Sequence, residues 1–169
     1  MEKSFENSCE ITDLGDLIPV GCDAGNTSIK VVVDGEVSFI PTKLQKVYES
    51  RKILGREKGD PLEFIDVDFD MKSTGNSENL FVGNLSRNGS IESLGGNKSS
   101  NDSLIKTMVI SIATVLAKKY PDRNDFVIKL GTGIPAKEFL YKDENNKYSD
   151  EKIKLFSGKL EGVHKIKFR

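Results

Sequence analysis

The 169-residue sequence has no tryptophan, a single histidine and only two cysteines. From His164, Cys9 and Cys22 no four-ligand zinc site of the usual nitrogen and sulfur donors can be assembled. Any histidine base would have to be His164, and no G-x-S-x-G nucleophile turn accompanies it. We read His164 as a half-buried strand residue sharing a face with Ile166 and Phe168, and Cys22 as a small strand filler. Both cysteines read as reduced thiols of a reducing compartment.

Charge of one sign is missing as well: 25 Lys and Arg stand against 26 Asp and Glu, for a net charge of −1. Without a basic field, direct nucleic-acid binding is not expected. No apolar run approaches the length of a membrane span and no basic-then-apolar leader opens the chain, so a cytoplasmic, membrane-free protein is expected. Asn26, Asn84, Asn88, Asn97 and Asn101 begin N-x-S/T triplets; in that compartment they are turn and loop residues, not glycan acceptors.

What is present is a mixed α/β pattern. Met1 to Asp16 is an acidic lead-in with little periodicity, expected to be mobile. Leu17–Cys22, Ile29–Val33 and the stretch around Val37 and Phe39 are β-branched or alternating, with Asp34-Gly35 as a hairpin turn. Three antiparallel strands in succession follow. The span 42–102 is less regular: Leu44–Leu54 reads as helix or loop, Glu63–Phe69 and Asn79–Gly83 as strands, and "NLSRNGSIESLGGNKSSND" as a mobile Asn/Ser/Gly loop. A strong helix comes next, capped by Asp102 or Ser103, with Leu104, Met108, Ile112, Val115 and Leu116 on its apolar face and Pro121 as a stop. "DFVIKL", a short helix, a second helix over Asp150–Leu160 and a last strand at "VHKIKF" complete the order. The first strand should be internal, with its tip open to a crevice.

Two loops carry candidate chemistry. "GTGIPA" places Gly131, Gly133 and Ala136 in a G-x-G-x-x-A pattern between strand and helix, but no second strand ending in an acid follows, so we read a strand-to-helix connection and not a dinucleotide site. In "VGCDAGNTSIKVVVDG" Asp23 ends a strand and Gly25, Asn26, Thr27 and Ser28 form a turn whose N–H groups can converge on phosphate oxygens, with Lys30 on the returning strand. Asp23 would then hold hydrated Mg²⁺ and Lys30 would neutralise phosphate charge. A plain hairpin with an Asx-type turn explains the same letters.

This stretch resembles the first phosphate loop of the actin superfamily, specifically the bacterial ParM and plasmid-segregation branch, where D-x-G-[NS]-x-x-[IV]-K is typical. "LFVGNLS" at Leu80–Ser86, the helix after "NKSSND" and "LGTGIPAKEF" at Leu130–Phe139 follow in the family's order. The resemblance implies an RNase H-like actin fold, with a mixed sheet led by antiparallel hairpins. Residues 17–41 and 103–169 would form an incomplete first large subdomain, and 42–102 an inserted smaller one. It also implies ATP or GTP with Mg²⁺, nucleotide-dependent filaments, and plasmid DNA moved through a separate DNA-binding adaptor.

Family members are roughly twice as long, and the glutamate or glutamine that positions water, the second phosphate loop and the nucleoside pocket have no counterpart here. The chain therefore reads as a truncated N-terminal half, with no catalytic residue of its own and negligible hydrolysis until completed by the missing C-terminal half. A sugar- or acetate-kinase member of the same superfamily, and a non-catalytic module whose strand edge a partner completes, are the rival readings.

Overall fold

Alternating apolar residues build the first sheet. The computed structural model describes residues 17–47, 60, 62–86, 100–140, 142, 144, 145, 147 and 149–169. In it β1 (Leu17–Ala24), β2 (Ser28–Val33) and β3 (Glu36–Pro41) are antiparallel neighbours, as the pattern requires. Ile18, Val20, Cys22 and Ala24 of β1 are buried on one face together with Ile29, Val31 and Val33 of β2. Asp34 and Gly35 both take positive φ, 50° and 78°, the geometry that lets a two-residue turn match the strand twist.

Among the described residues three strands and a 3₁₀ turn form the next stretch. The expected helix or loop begins instead as a short strand, β4 (Leu44–Lys46). It pairs antiparallel with β6 (Ser77–Gly83), which pairs antiparallel with β5 (Phe64–Asp70), and a 3₁₀ turn at Met71–Ser73 follows β5. The acidic lead-in, most of the 44–54 piece and the core of the Asn/Ser/Gly stretch lie outside the described residues.

α1 (Asp102–Lys119) is capped one residue earlier than expected. Asn101 has extended backbone angles and its side chain accepts the Leu104 N–H at 2.9 Å; Asp102 and Ser103 fall inside the first turn, where Asp102 complements the helix dipole. Leu104, Ile105, Met108, Ile110, Ile112, Val115 and Leu116 are buried, an apolar girth too wide for a surface helix. Its side toward β1 and β2 closes the core of the first sheet.

β7 (Val127–Thr132) returns parallel to β1, with Cys22 opposite Thr132. The first sheet thus runs β3-β2-β1-β7, and β1 is internal. α2 (Ala136–Phe139) and α3 (Glu151–Leu160) lead to β8 (Lys165–Phe168).

The last strand does not join the first sheet. β8 lies antiparallel to β5, giving a second sheet in the order β4-β6-β5-β8. Charge favours the choice at Asp68, the register partner of Lys167: Arg169 donates to both of its oxygens, at 2.6 and 2.9 Å, whereas the Asp70 carboxylate is turned to the Thr74 and Gly75 amides. Opposite charges directly across a ladder stabilise pairing, and the two-pronged Arg contact fixes register. His164 precedes β8; its Nδ1 accepts the Lys72 N–H at 3.2 Å while Nε2 lies 3.0 Å from the Leu160 carbonyl oxygen. Both contacts are satisfied together when Nε2 carries the proton and Nδ1 does not.

Candidate functional site

The β1–β2 hairpin holds the candidate site. β1 continues through Asp23 to Ala24, so the carboxylate sits within the strand and not in the turn. Asp23 is the direct cross-strand partner of Lys30. Alternation then sends both side chains to the face opposite α1, with Lys30 Nζ 3.9 Å from Asp23 Oδ2. The pair is open to solvent, with Asp23 67% and Lys30 51% exposed.

The turn itself is tied down. Gly25 N–H donates to the Ser28 carbonyl at 3.0 Å, so this amide is committed within the hairpin and does not point outward. A Cβ on Gly25 would lie 2.8 Å from the Ser28 carbonyl oxygen, closer than real Cβ contacts come. Asn26 and Thr27 are exposed and their N–H groups donate to no described residue. Of the four loop positions the sequence marks, three therefore keep an amide outside the Gly25–Ser28 bond.

Sequence reasoning missed Thr42. This residue follows β3, is 6% exposed, and reaches the turn twice: its N–H donates to the Thr27 carbonyl at 2.9 Å and its hydroxyl to the Gly25 carbonyl at 2.9 Å. No spacing rule links Thr42 to a loop 17 residues earlier; the signal is only a hydroxyl residue directly after a strand that must pass the hairpin.

The register of β7 brings the second glycine loop to the same end of the sheet. Cys22 opposite Thr132 sets Gly133 beside the tip that carries Asp23. Gly133 has open space where a Cβ would stand, and after β7 the chain turns at Pro135 into α2, the plain strand-to-helix connection expected of it. His164 is half-buried as expected but lies just before β8 and not within a strand, its ring stacked against Phe69 with centroids 6.2 Å apart, and Cys22 is buried on β1. Neither reaches the hairpin site by strand register.

A directly ligated metal has no cage here. Among the described residues no three His, Cys, Asp or Glu side chains gather to hold an ion. One exposed carboxylate beside an ammonium suits a cation that keeps most of its waters, the habit of Mg²⁺.

Residues 21–166 match the family model described as "Actin like proteins N terminal domain". The chain belongs to the actin-like proteins. No curated protein matches its sequence. Among solved structures this actin-like protein resembles Alp7A, an actin-like protein, at 19% identity and a TM-score of 0.67, over 89% of this chain and 39% of that one. It resembles a Bacillus thuringiensis ParM solved with ATP at 18% identity and a TM-score of 0.58, over 90% and 39%. A 15-stranded ParM filament from Clostridium botulinum gives 21% identity and a TM-score of 0.53, over 90% and 42%. The actin-like chain thus spans about two fifths of the length of these relatives. The expected actin fold with its hairpin-led mixed sheet is borne out. Among the described residues no helix is long and apolar enough to cross a membrane.

Proposed function

We propose that this chain is the nucleotide-binding N-terminal part of a ParM-type filament protein, an ATPase or GTPase that segregates plasmid DNA. The observation that carries the reading is the Asp23–Lys30 pair, set side by side on one sheet face beside a turn whose Asn26 and Thr27 N–H groups donate to no described residue. The Bacillus thuringiensis relative bound to ATP supports a nucleotide as ligand, and the Clostridium botulinum filament supports self-assembly.

In this reading each group has one task. The N–H groups of Asn26, Thr27 and Ser28 donate to phosphate oxygens, and Gly25 keeps the turn tight enough for the approach. Lys30 neutralises phosphate charge from the flank. Asp23 accepts hydrogen bonds from the waters of a Mg²⁺ ion and keeps Lys30 turned toward the site. The ion, when bound with nucleotide, screens the charge of the phosphates. Water activation falls to residues beyond these 169, because phosphoryl transfer needs the attacking and leaving sides positioned together. With a net charge of −1, contact with DNA falls to a separate adaptor protein.

Titration of the whole gene product with ATP and with GTP in the presence of Mg²⁺, followed by light scattering for assembly, tests the reading. Lys30→Ala and Asp23→Ala are each expected to weaken nucleotide binding at least about tenfold and to suppress assembly. Variants that bind and assemble as the unsubstituted protein does would sink the assignment.

A further inference from the structure

The backbone of the Gly25–Ser28 turn is held from outside the hairpin by Thr42, and the direction of two of its amides follows from that hold. A trans peptide unit is planar, with its C=O and the following N–H pointing opposite ways, and no cis bond occurs among the described residues. Thr42 takes the Gly25 carbonyl with its hydroxyl and the Thr27 carbonyl with its N–H. The two peptide units so fixed are Gly25–Asn26 and Thr27–Ser28. Their amides, on Asn26 and Ser28, are thereby turned away from Thr42.

We propose that Thr42 is a positioning residue for phosphate recognition: it orients the Asn26 and Ser28 N–H groups toward a nucleotide's phosphate oxygens without touching the ligand. The inference rests on the phosphate-binding reading of this turn. Two features make Thr42 a deliberate anchor and not a passing contact. It is buried while the turn it holds is largely exposed, so its hydroxyl is shielded from water and the bond to Gly25 is not traded freely for a solvent bond. It is also held from its other side: Lys43 N–H donates to the Pro41 carbonyl at 2.8 Å and the Lys43 carbonyl accepts the Gly83 N–H at 3.1 Å. The anchor is thus backed by the second sheet, and the amide array is referenced to both sheets at once.

A hydrogen bond that only holds the hairpin together predicts lost stability; one that aims amides predicts lost anion affinity in a protein that remains folded. Thr42→Val keeps volume and β-branching and removes the hydroxyl, Thr42→Ser keeps the hydroxyl and removes a methyl, and Thr42→Ala removes both. In the whole gene product with Mg²⁺, Thr42→Val and Thr42→Ala are expected to bind ATP about tenfold more weakly, and Thr42→Ser within about threefold of the unsubstituted protein. Adenosine, which lacks phosphates, should show no such ranking at any concentration that binds. Amide hydrogen exchange should quicken at Asn26 and Ser28 in the Val and Ala variants and not in Ser.

Equal ATP affinity for Val and Ser variants, with Lys30→Ala still impairing binding, overturns the role of Thr42 alone. Absence of ATP binding in the unsubstituted protein, or indifference to Lys30→Ala, overturns the phosphate reading and the Thr42 role with it. Should Thr42→Val fail to fold, the Ser and Ala pair isolates the hydroxyl, and equal ATP affinity in that pair likewise overturns the proposal.

Discussion

Gly25→Ala and Gly133→Ala place the same methyl group at two glycines of one end of the sheet, and the structure assigns them opposite signs. At Gly133 nothing lies within 4 Å of the added Cβ. Alanine there restricts the unfolded chain and should stabilise the fold by about 0.4–1 kcal/mol. At Gly25 the Cβ would stand 2.8 Å from the backbone oxygen of Ser28, which cannot rotate away as a side chain would. Relief requires the turn to open, and opening strains the 3.0 Å Gly25–Ser28 bond and the 2.9 Å Thr42–Gly25 bond. Two hydrogen bonds weakened by about 0.5–1.5 kcal/mol each outweigh the same unfolded-state gain. The net loss is about 0.5–2 kcal/mol, and the two variants should differ by about 1–3 kcal/mol. Urea unfolding of the unsubstituted protein and both variants, with slopes compared to exclude a changed unfolded state, measures the gap. Unfolding free energies within about 0.5 kcal/mol of each other would refute the turn geometry argued here.

Glu78 accepts a hydrogen bond from Lys106 of α1 and lies 3.3 Å from Lys46 Nζ of β4. The Lys106 hydrogen bond is the main cause holding its carboxyl below the ordinary value of 4.5. A lowered folded-state value means the stabilisation is fully present above pH 4.5 and is lost as pH falls through the folded value. Glu78→Gln should therefore cost about 0.5–1 kcal/mol at neutral pH, and the gap should close in acid; a gap that grows on acidification in urea unfolding curves contradicts the pairing. Lys167→Glu sets like charges across the β5–β8 ladder at Asp68 and should weaken the pairing by about 0.5–1 kcal/mol. Limited proteolysis would then cut ahead of β8 sooner than in the unsubstituted protein, and an unchanged cleavage pattern would count against charge as the reason for this pairing.

The residues of β1 to β3 announce themselves because strand alternation and the Asp34-Gly35 turn are local signals, readable within a dozen residues. The same locality found α1 and its stop, although Asn101 took the cap from Asp102 and Ser103: all three are good caps, and only the extended angles at Asn101 decide among them. Asp23, Gly25 and Lys30 were visible as a spacing. That Asp23 and Lys30 share a face was not, since it depends on β1 extending two residues further than its apolar run. The partner of β8 lay beyond any window, because Asp68 and Lys167 are far apart in sequence and their complementarity is one of many such combinations in a chain with 30% charged residues. Thr42 was hidden for a like reason, its two bonds being made possible only by the return of β3 past the hairpin tip.

The return of β8 to the second sheet has a mechanical consequence. Among the described strands the chain passes between the sheets from β3 to β4, from β6 to β7 and from β7 to β8. The first passage takes only Thr42 and Lys43, while the last carries α2 and α3. Just before β8, Lys72 donates to the Gly158 carbonyl and Ser73 to the Val163 carbonyl, so the stretch leading into the last strand is clasped on both sides of Gly162. Gly162 has φ of 112°, a conformation that glycine adopts freely and a side chain does not, so a pull on β8 meets a clasp whose geometry depends on that one residue.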